Sequence, residues 1–328
     1  MINNIPYGKC VYGKEEIKNV LNCLKKGTQM GKEVRSFESK IAKLFGKKYG
    51  IMVNSGTSAL TLAVKVLNLP KNSEVITPCL NFGTAISSIV FNDLKPIFVD
   101  VNKETLQIDL SLIENKITKN TKALLIPNLI GNIPDWTKIS KIAKKYKLKI
   151  IEDSADTLGA TIYNKPTGIY SDATITSFYG SHVISCAGNG GMLMLNSKKD
   201  YEKSKVLRSW GRLSSTMKES ENINNRLDIN ISGVDYDRKF VFSELGYNFE
   251  PSEIGAAFGN VQLKKFNNFS KIRNFNFNYH AKFFSKFPDL FITPEVLPSV
   301  STNFLAYPII LKKNKFFDRK KLQVFLEN

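Results

Sequence analysis

The sequence predicts an α/β fold built on a largely parallel sheet, and three observations carry the prediction. Short apolar runs alternate with stretches of helical periodicity from Tyr49 to Ser209, the pattern of strand–helix–strand units. The runs are nearly continuous in apolar residues, as strands are when both faces of a sheet are covered. A tight small-residue turn, NSGTSAL, joins the first strand to the helix after it.

Two amphipathic helices come first, EEIKNVLNCLKK and VRSFESKIAKLFG, with apolar residues at three- and four-residue spacing. YGIMV then reads as a strand, and SALTLAVKVLNL as a helix. The alternation continues through EVITP (strand), TAISSIVFND (helix), PIFVDV and KALLIP (strands), PDWTKISKIAKKY (helix) and LKIIEDSA (strand). An S-F-Y strand is expected at 177–179. After Gly191, MLMLN is a further strand, followed by a helix from about Lys199 to Ser209. Residues 213–240 are polar and irregular, the signature of a long excursion or lid. SEIGAAFGNVQLKKF is a helix closing a large domain expected over 1–265. The remainder, 266–328, reads as a smaller α+β domain, with FLAYPIIL as a strand and FDRKKLQVFLEN as a helix. That helix runs to the last residue, so the small domain is expected to be cut short.

Composition narrows the function classes. At 328 residues and 42% hydrophobic, the chain can bury a large core and is not a disordered protein. No apolar run is long enough to span a bilayer. MINNIPYGKC lacks the layout of a signal peptide, so the expected compartment is the cytoplasm. Cys10, Cys23, Cys79 and Cys186 form no C-x-x-C pair, so neither a metal centre nor a disulfide framework is expected. The net charge of +18 admits nucleic-acid binding. The lysines, however, are scattered as KK pairs on polar faces, with no basic stripe interleaved with aromatics. No nucleic-acid role is expected; a basic surface also attracts anionic small molecules.

Three stretches carry chemistry. In NSGTSAL, Gly56, Thr57 and Ser58 sit where a strand gives way to a helix, so main-chain N–H groups, hydroxyls and the helix dipole could hold an anion. An ordinary N-cap is the plainer reading of this turn taken alone. IIEDSADTLGA places Glu152, Asp153 and Asp156 at the end of an apolar strand, where open α/β sheets put ligand contacts. A helix N-cap would explain the same residues; a buried aspartate, though, needs a partner, and a protonated heteroaromatic nitrogen would supply one. SFYGSHVISCAGNGGM sets His182, one of two histidines, between Ser177 and Ser181 and a glycine-rich run.

The set as a whole resembles the pyridoxal-phosphate enzymes of the aspartate-aminotransferase fold, and more narrowly the DegT/DnrJ/EryC1/StrS family that acts on nucleotide-linked 4-keto-6-deoxyhexoses. Six ordered blocks carry the resemblance: GKEVRSFESKIAKLFGKKYGIMVNSGTSAL, VITPCLNFGTAISSIVFNDLKPIFVDVN, IIEDSADTLGA, SFYGSHVISCAGNGGM, LRSWGR and LGYNFEPSEIGAAFGNVQLKKF. It implies a three-layer architecture with a mostly parallel central sheet. It further implies that Gly56, Thr57, Ser58 and Ser177 hold the cofactor phosphate, that Phe82 stacks on the pyridine ring, and that Asp153 pairs with the ring nitrogen. Asn248 would reach the phosphate of a neighbouring subunit, which implies a homodimer with a shared site.

The main departure is His182. Aminotransferases of the family carry lysine there, whose amine forms a Schiff base with the cofactor. An imidazole cannot do so, but it can act as a general base. The family's sugar 3-dehydratases carry histidine at this position. Asp156, the PNLIGN segment with Gly131 and Asn132, and YDRKFVFSELGYN resemble them too. Among these, the iron–sulfur type has a cysteine within E-D-x-x-D and more beyond W-G-R; here Ala155 stands in the first place and no cysteine follows Cys186. The resemblance therefore implies the cluster-free type: pyridoxal or pyridoxamine phosphate as cofactor, L-glutamate as amine donor, and a GDP-linked sugar, with CDP second. Arg208 and Arg212 are candidates for the pyrophosphate. A 4-aminotransferase and a non-catalytic protein of this fold are the alternatives.

Overall fold

The computed structural model describes residues 8–217 and 223–327; residues 1–7, 218–222 (within the polar stretch 213–240) and 328 lie outside the described residues. In chain order, α1 (Lys14–Lys26) and α2 (Lys32–Leu44) precede β1 (Tyr49–Val53), α3 (Gly56–Val66), β2 (Glu74–Pro78), α4 (Gly83–Val90), β3 (Lys95–Val99), the one-turn α5 (Leu110–Ile113), β4 (Thr121–Pro127), α6 (Trp136–Tyr146) and β5 (Lys149–Asp153). A small hairpin, β6 (Thr161–Ile162) and β7 (Lys165–Pro166), leads to β8 (Ala173–Ser177), β9 (Gly191–Leu195) and α7 (Lys198–Arg208). Then come α8 (Ile223–Arg226), β10 (Asn230–Ile231), β11 (Val234–Asp235), α9 (Glu253–Phe284), β12 (Phe291–Ile292), β13 (Val300–Ser301), β14 (Ile310–Leu311) and α10 (Arg319–Glu327).

Seven strands form the central sheet in the order β1-β9-β8-β5-β4-β2-β3. All run parallel except β9, which is antiparallel to both its neighbours. The expected α/β class and mostly parallel sheet are therefore present. Pairing of Val53 and of Ser177 with Gly191, and of Asp153 with Ile175, brings the ends of β1, β5 and β8 to one edge.

The core lies on both faces of this sheet. On one face α3 is buried along most of its length, as a helix between a sheet and other helices must be. On the other, Trp136 and Ile139 of α6 pack on Leu124, Ile126 and Ile150. Phe37, Ile41 and Phe45 seal the β1–β9 end against Phe178 and Met192. Glu253 joins two helices that are distant in sequence: its carboxylate accepts from the N–H groups of Gly31 (2.7 Å), Glu33 (2.7 Å) and Val34 (3.1 Å), capping α2. Such a carboxylate satisfies donors that the helix itself cannot.

Three expectations change in detail. The domain boundary expected at 265/266 falls inside α9, a single 32-residue helix. No glycine or proline lies between Asn260 and Phe284 to stop it. FLAYPIIL forms a strand only at Ile310–Leu311; Pro308 lacks an N–H to donate, and the residues before it turn toward the site loops. The excursion at 213–240 is not wholly irregular, since β10 and β11 pair as an exposed hairpin. Among the described residues no helix is long and apolar enough to cross a membrane.

Candidate active site

The ends of β1, β5 and β8 build one site. Ser55 caps α3 by accepting from the Ser58 N–H (3.1 Å), and the Ser58 hydroxyl donates to Asn54 Oδ1 (2.6 Å). The N–H groups of Gly56 and Thr57, in the same first turn, have no acceptor inside the helix. They point with the helix dipole at whatever anion sits beyond. Ser177 closes the other side of this cradle. A Cβ on Gly56 would lie 2.8 Å from Ser177 Cβ and 3.0 Å from its Oγ. A Cβ on Gly191 would lie 2.2 Å from the Ser55 carbonyl oxygen. The glycine-rich run at 188–191 thus ends in a glycine that lets β9 pass against the turn before α3.

Asp153 ends β5 in a buried position, and its carboxylate's one hydrogen bond among the described residues comes from the Ala155 N–H (3.0 Å). Burial pushes its carboxyl up to about 7, with the negative charges of Asp156 and Glu152 adding to the effect. A buried carboxylate without a cation is costly, so the position suits a cationic partner. Glu152, next along the strand, faces the opposite way into a cage of Asn128, Ser154, Thr167 and Thr174 side chains. It is a structural group. Phe82, the residue before α4, is 73% exposed, so its ring is free to cover a planar ligand.

His182 lies in the turn after β8. Its Nδ1 is buried and has no hydrogen-bond partner among the described residues. Burial lowers the imidazole's pKa; the charge of Asp156 and the Ser177 main chain act the other way, and Arg273 adds to the lowering. A neutral imidazole with a free ring nitrogen is the state a general base requires. Asp156 is held in turn by the Ile130 N–H, 2.8 Å from its Oδ2. Burial raises its carboxyl, partly offset by the Ile130 bond and by His182.

The remaining sequence-derived residues divide. Asn248 is exposed and lies beside the cradle of its own chain, its carbonyl 3.3 Å from Asn54 Nδ2. Arg208 corrects its expectation. It is turned into the protein, with Nη1 donating to Glu38 (2.9 Å) and to the Met52 carbonyl (3.0 Å). Its charge is committed there to Glu38, whose side chain is 13% exposed. Arg212 stacks its guanidinium 4.8 Å from the Trp210 ring centre, with Phe242 at 6.0 Å. Sequence reasoning missed Arg273 and Asn303, which hold the loops of His182 and Asp156. Neither residue sits in a motif.

Several known proteins are similar to this chain over most of its length. The lipopolysaccharide biosynthesis protein RfbH of Salmonella typhimurium is 31% identical over 98% of this chain and 76% of its own. The GDP-4-keto-6-deoxy-D-mannose 3-dehydratase of Escherichia coli O55:H7 is 30% identical, over 97% and 82%. The GDP-perosamine synthase of Escherichia coli O157:H7 is 31% identical, over 80% and 66%. A solved structure of the E. coli GDP-4-keto-6-deoxy-D-mannose 3-dehydratase with bound hydrated pyridoxal phosphate superposes with a TM-score of 0.89 at 28% identity, covering 98% of this chain and 82% of that one. Residues 11–328 match the DegT/DnrJ/EryC1/StrS aminotransferase family, and the chain belongs to it, with pyridoxal 5′-phosphate as its cofactor.

Proposed function

We propose that the chain is a 3-dehydratase that removes the C3 hydroxyl of a nucleotide-linked 4-keto-6-deoxyhexose, GDP-linked by preference, with L-glutamate as amine donor. The observation that carries the reading is His182: a partly buried imidazole whose Nδ1 is buried and free among the described residues, with the charge of Asp156 acting on it, where the family's aminotransferases carry lysine. The 30% identical dehydratase of Escherichia coli O55:H7 supports the substrate class.

Each residue then has a task. Gly56, Thr57, Ser58 and Ser177 bind the cofactor phosphate, Phe82 covers the ring, and Asp153 keeps the ring nitrogen protonated. When bound in its amine form, the cofactor supplies a nitrogen for the C4 ketone and a ring that accepts electrons as the C3 hydroxyl leaves. His182 takes a proton from the cofactor's C4′ carbon and delivers one to the departing hydroxyl, a role worth on the order of 10²–10⁴ in rate. Asp156 favours the imidazolium that forms between these transfers. Asn248 serves the partner subunit of a homodimer. Support for an interface comes from the exposure of Phe240 (72%), Phe242 (56%) and Leu245 (93%) in the same stretch, a grouping typical of association surfaces.

The test is a spectrum and a product assay. Pyridoxal phosphate added to the protein should give a band that glutamate bleaches and that borohydride does not fix to the chain. GDP-4-keto-6-deoxymannose with glutamate should then release ammonia and a 3-deoxy sugar. His182→Lys should become fixable by borohydride and lose dehydration. Nitrogen retained on the sugar by the unaltered protein would mean a 4-aminotransferase; no cofactor band at all would mean a non-catalytic protein.

A further inference from the structure

Arg273 lies on α9, outside the phosphate cradle, and its bonds all go to main chain. Nη1 donates to the carbonyls of Phe304 (3.2 Å) and Leu305 (2.9 Å), and Nη2 to the carbonyl of His182 (3.4 Å). The segment it grips is itself a hub. Thr302 Oγ1 donates to the Gly131 carbonyl (2.6 Å), and the Leu305 N–H donates to the Ile130 carbonyl (3.0 Å). Asn303 Oδ1 accepts from the Leu158 N–H (3.0 Å), while its Nδ2 donates back to the Leu158 carbonyl. Gly131 has φ +82, and a Cβ there would meet Leu305 N at 2.7 Å and Phe304 Cα at 2.8 Å. Ile130 is the residue whose N–H holds Asp156. One four-residue segment thus anchors both loops that flank Asp156, and Arg273 ties the His182 loop to it.

We propose that Arg273 is a positioning residue, fixing His182 against Asp156 by bridging the His182 main chain to residues 302–305. The inference rests on the reading of His182 as the base. A planar guanidinium suits the task because its fork can span several carbonyls at once, which an ammonium does less well. Arg273 has a second effect through its charge. His182 is faced by Asp156 from the connection after β5, by Arg273 from α9, by the Ser177 main chain at the end of β8, and by the edge of the Tyr179 ring with centroids 5.9 Å apart. Asp156 favours imidazolium and Arg273 opposes it, so the pair brackets the base with opposite charges.

The chain has only two histidines, His182 and His280, so the base can be watched directly. In the ¹⁵N-histidine-labelled protein without cofactor, the His280→Gln variant assigns the two imidazoles. Arg273→Gln should move the titration of His182 to higher pH. Arg273→Lys, which keeps the cation, should titrate close to the unaltered protein. Both variants should lower kcat by on the order of 10–100-fold, the scale of a small misplacement of a catalytic group, with pyridoxal phosphate affinity within about twofold of the unaltered protein. An unmoved His182 titration in Arg273→Gln, or full kcat in Arg273→Lys, would overturn the proposal. If Arg273→Gln does not fold, the lysine variant alone decides through its kcat. Full activity in His182→Asn would instead overturn the base reading, and the titration result would still stand for the coupling of Arg273 to the imidazole.

Discussion

Replacing Asp153 by asparagine separates the stability of the empty site from its use. Asp153 Oδ1 accepts from the Ala155 N–H, a bond that an asparagine oxygen can keep. What asparagine removes is the titration. The carboxyl is lifted from 3.8 to about 7, first by burial and then by Asp156 and Glu152, which corresponds to about 4 kcal/mol. Because the folded-state pKa is raised, the native protein holds the proton that the unfolded chain gives up. The contribution is fully present below pH 3.8 and is lost as pH rises through about 7. Urea unfolding of the cofactor-free protein and of Asp153→Asn, at pH 5, 6, 7 and 8, isolates this group by difference. The unaltered protein should lose about 3 kcal/mol relative to the variant between pH 5 and 8, leaving the variant the more stable at pH 8. The same substitution should weaken pyridoxal phosphate binding and reduce turnover by at least about tenfold, since an amide cannot hold the ring nitrogen's proton by charge. A difference that stays flat with pH, or a variant that is less stable at pH 8, would refute the argument that this carboxylate is buried without a cation.

Two further substitutions test the placement of neighbouring groups. Gly191→Ala should cost about 1–3 kcal/mol and weaken pyridoxal phosphate affinity by more than about tenfold, because its Cβ would collide with the Ser55 carbonyl; equilibrium dialysis showing unchanged affinity would contradict the cradle. Arg208→Met should destabilise by about 3–5 kcal/mol by leaving the largely enclosed Glu38 carboxylate without its cation, with KM for the nucleotide sugar unchanged. A raised KM at intact stability would return Arg208 to the pyrophosphate.

Local pattern made much of this fold legible. The helices from α1 to α4 and the strands from β1 to β5 follow from apolar periodicity and turn residues, which act over a few positions. The candidate site followed nearly as directly, since a parallel sheet brings strand ends to one edge, and Gly56, Asp153, Ser177 and His182 all lie at or just beyond such ends. Where local signals were read too simply, the structure differs for an identifiable reason. Pro308 breaks the expected strand at 304–311, and nothing in 260–284 breaks α9.

The amino-acid sequence by itself determined the strand–helix alternation, the small-residue turn before α3 and the place of His182 after β8, because each is written in neighbouring residues. The tertiary structure alone decided what charge each of those residues meets. Arg208 finds Glu38 across 170 positions, Arg273 finds His182 across 91, and Asn303 finds Leu158 across 145. Burial around Asp153 and His182 is likewise the sum of elements far apart in the chain. Desolvation and long-range pairing depend on distance in space, and no periodicity along the sequence encodes that distance.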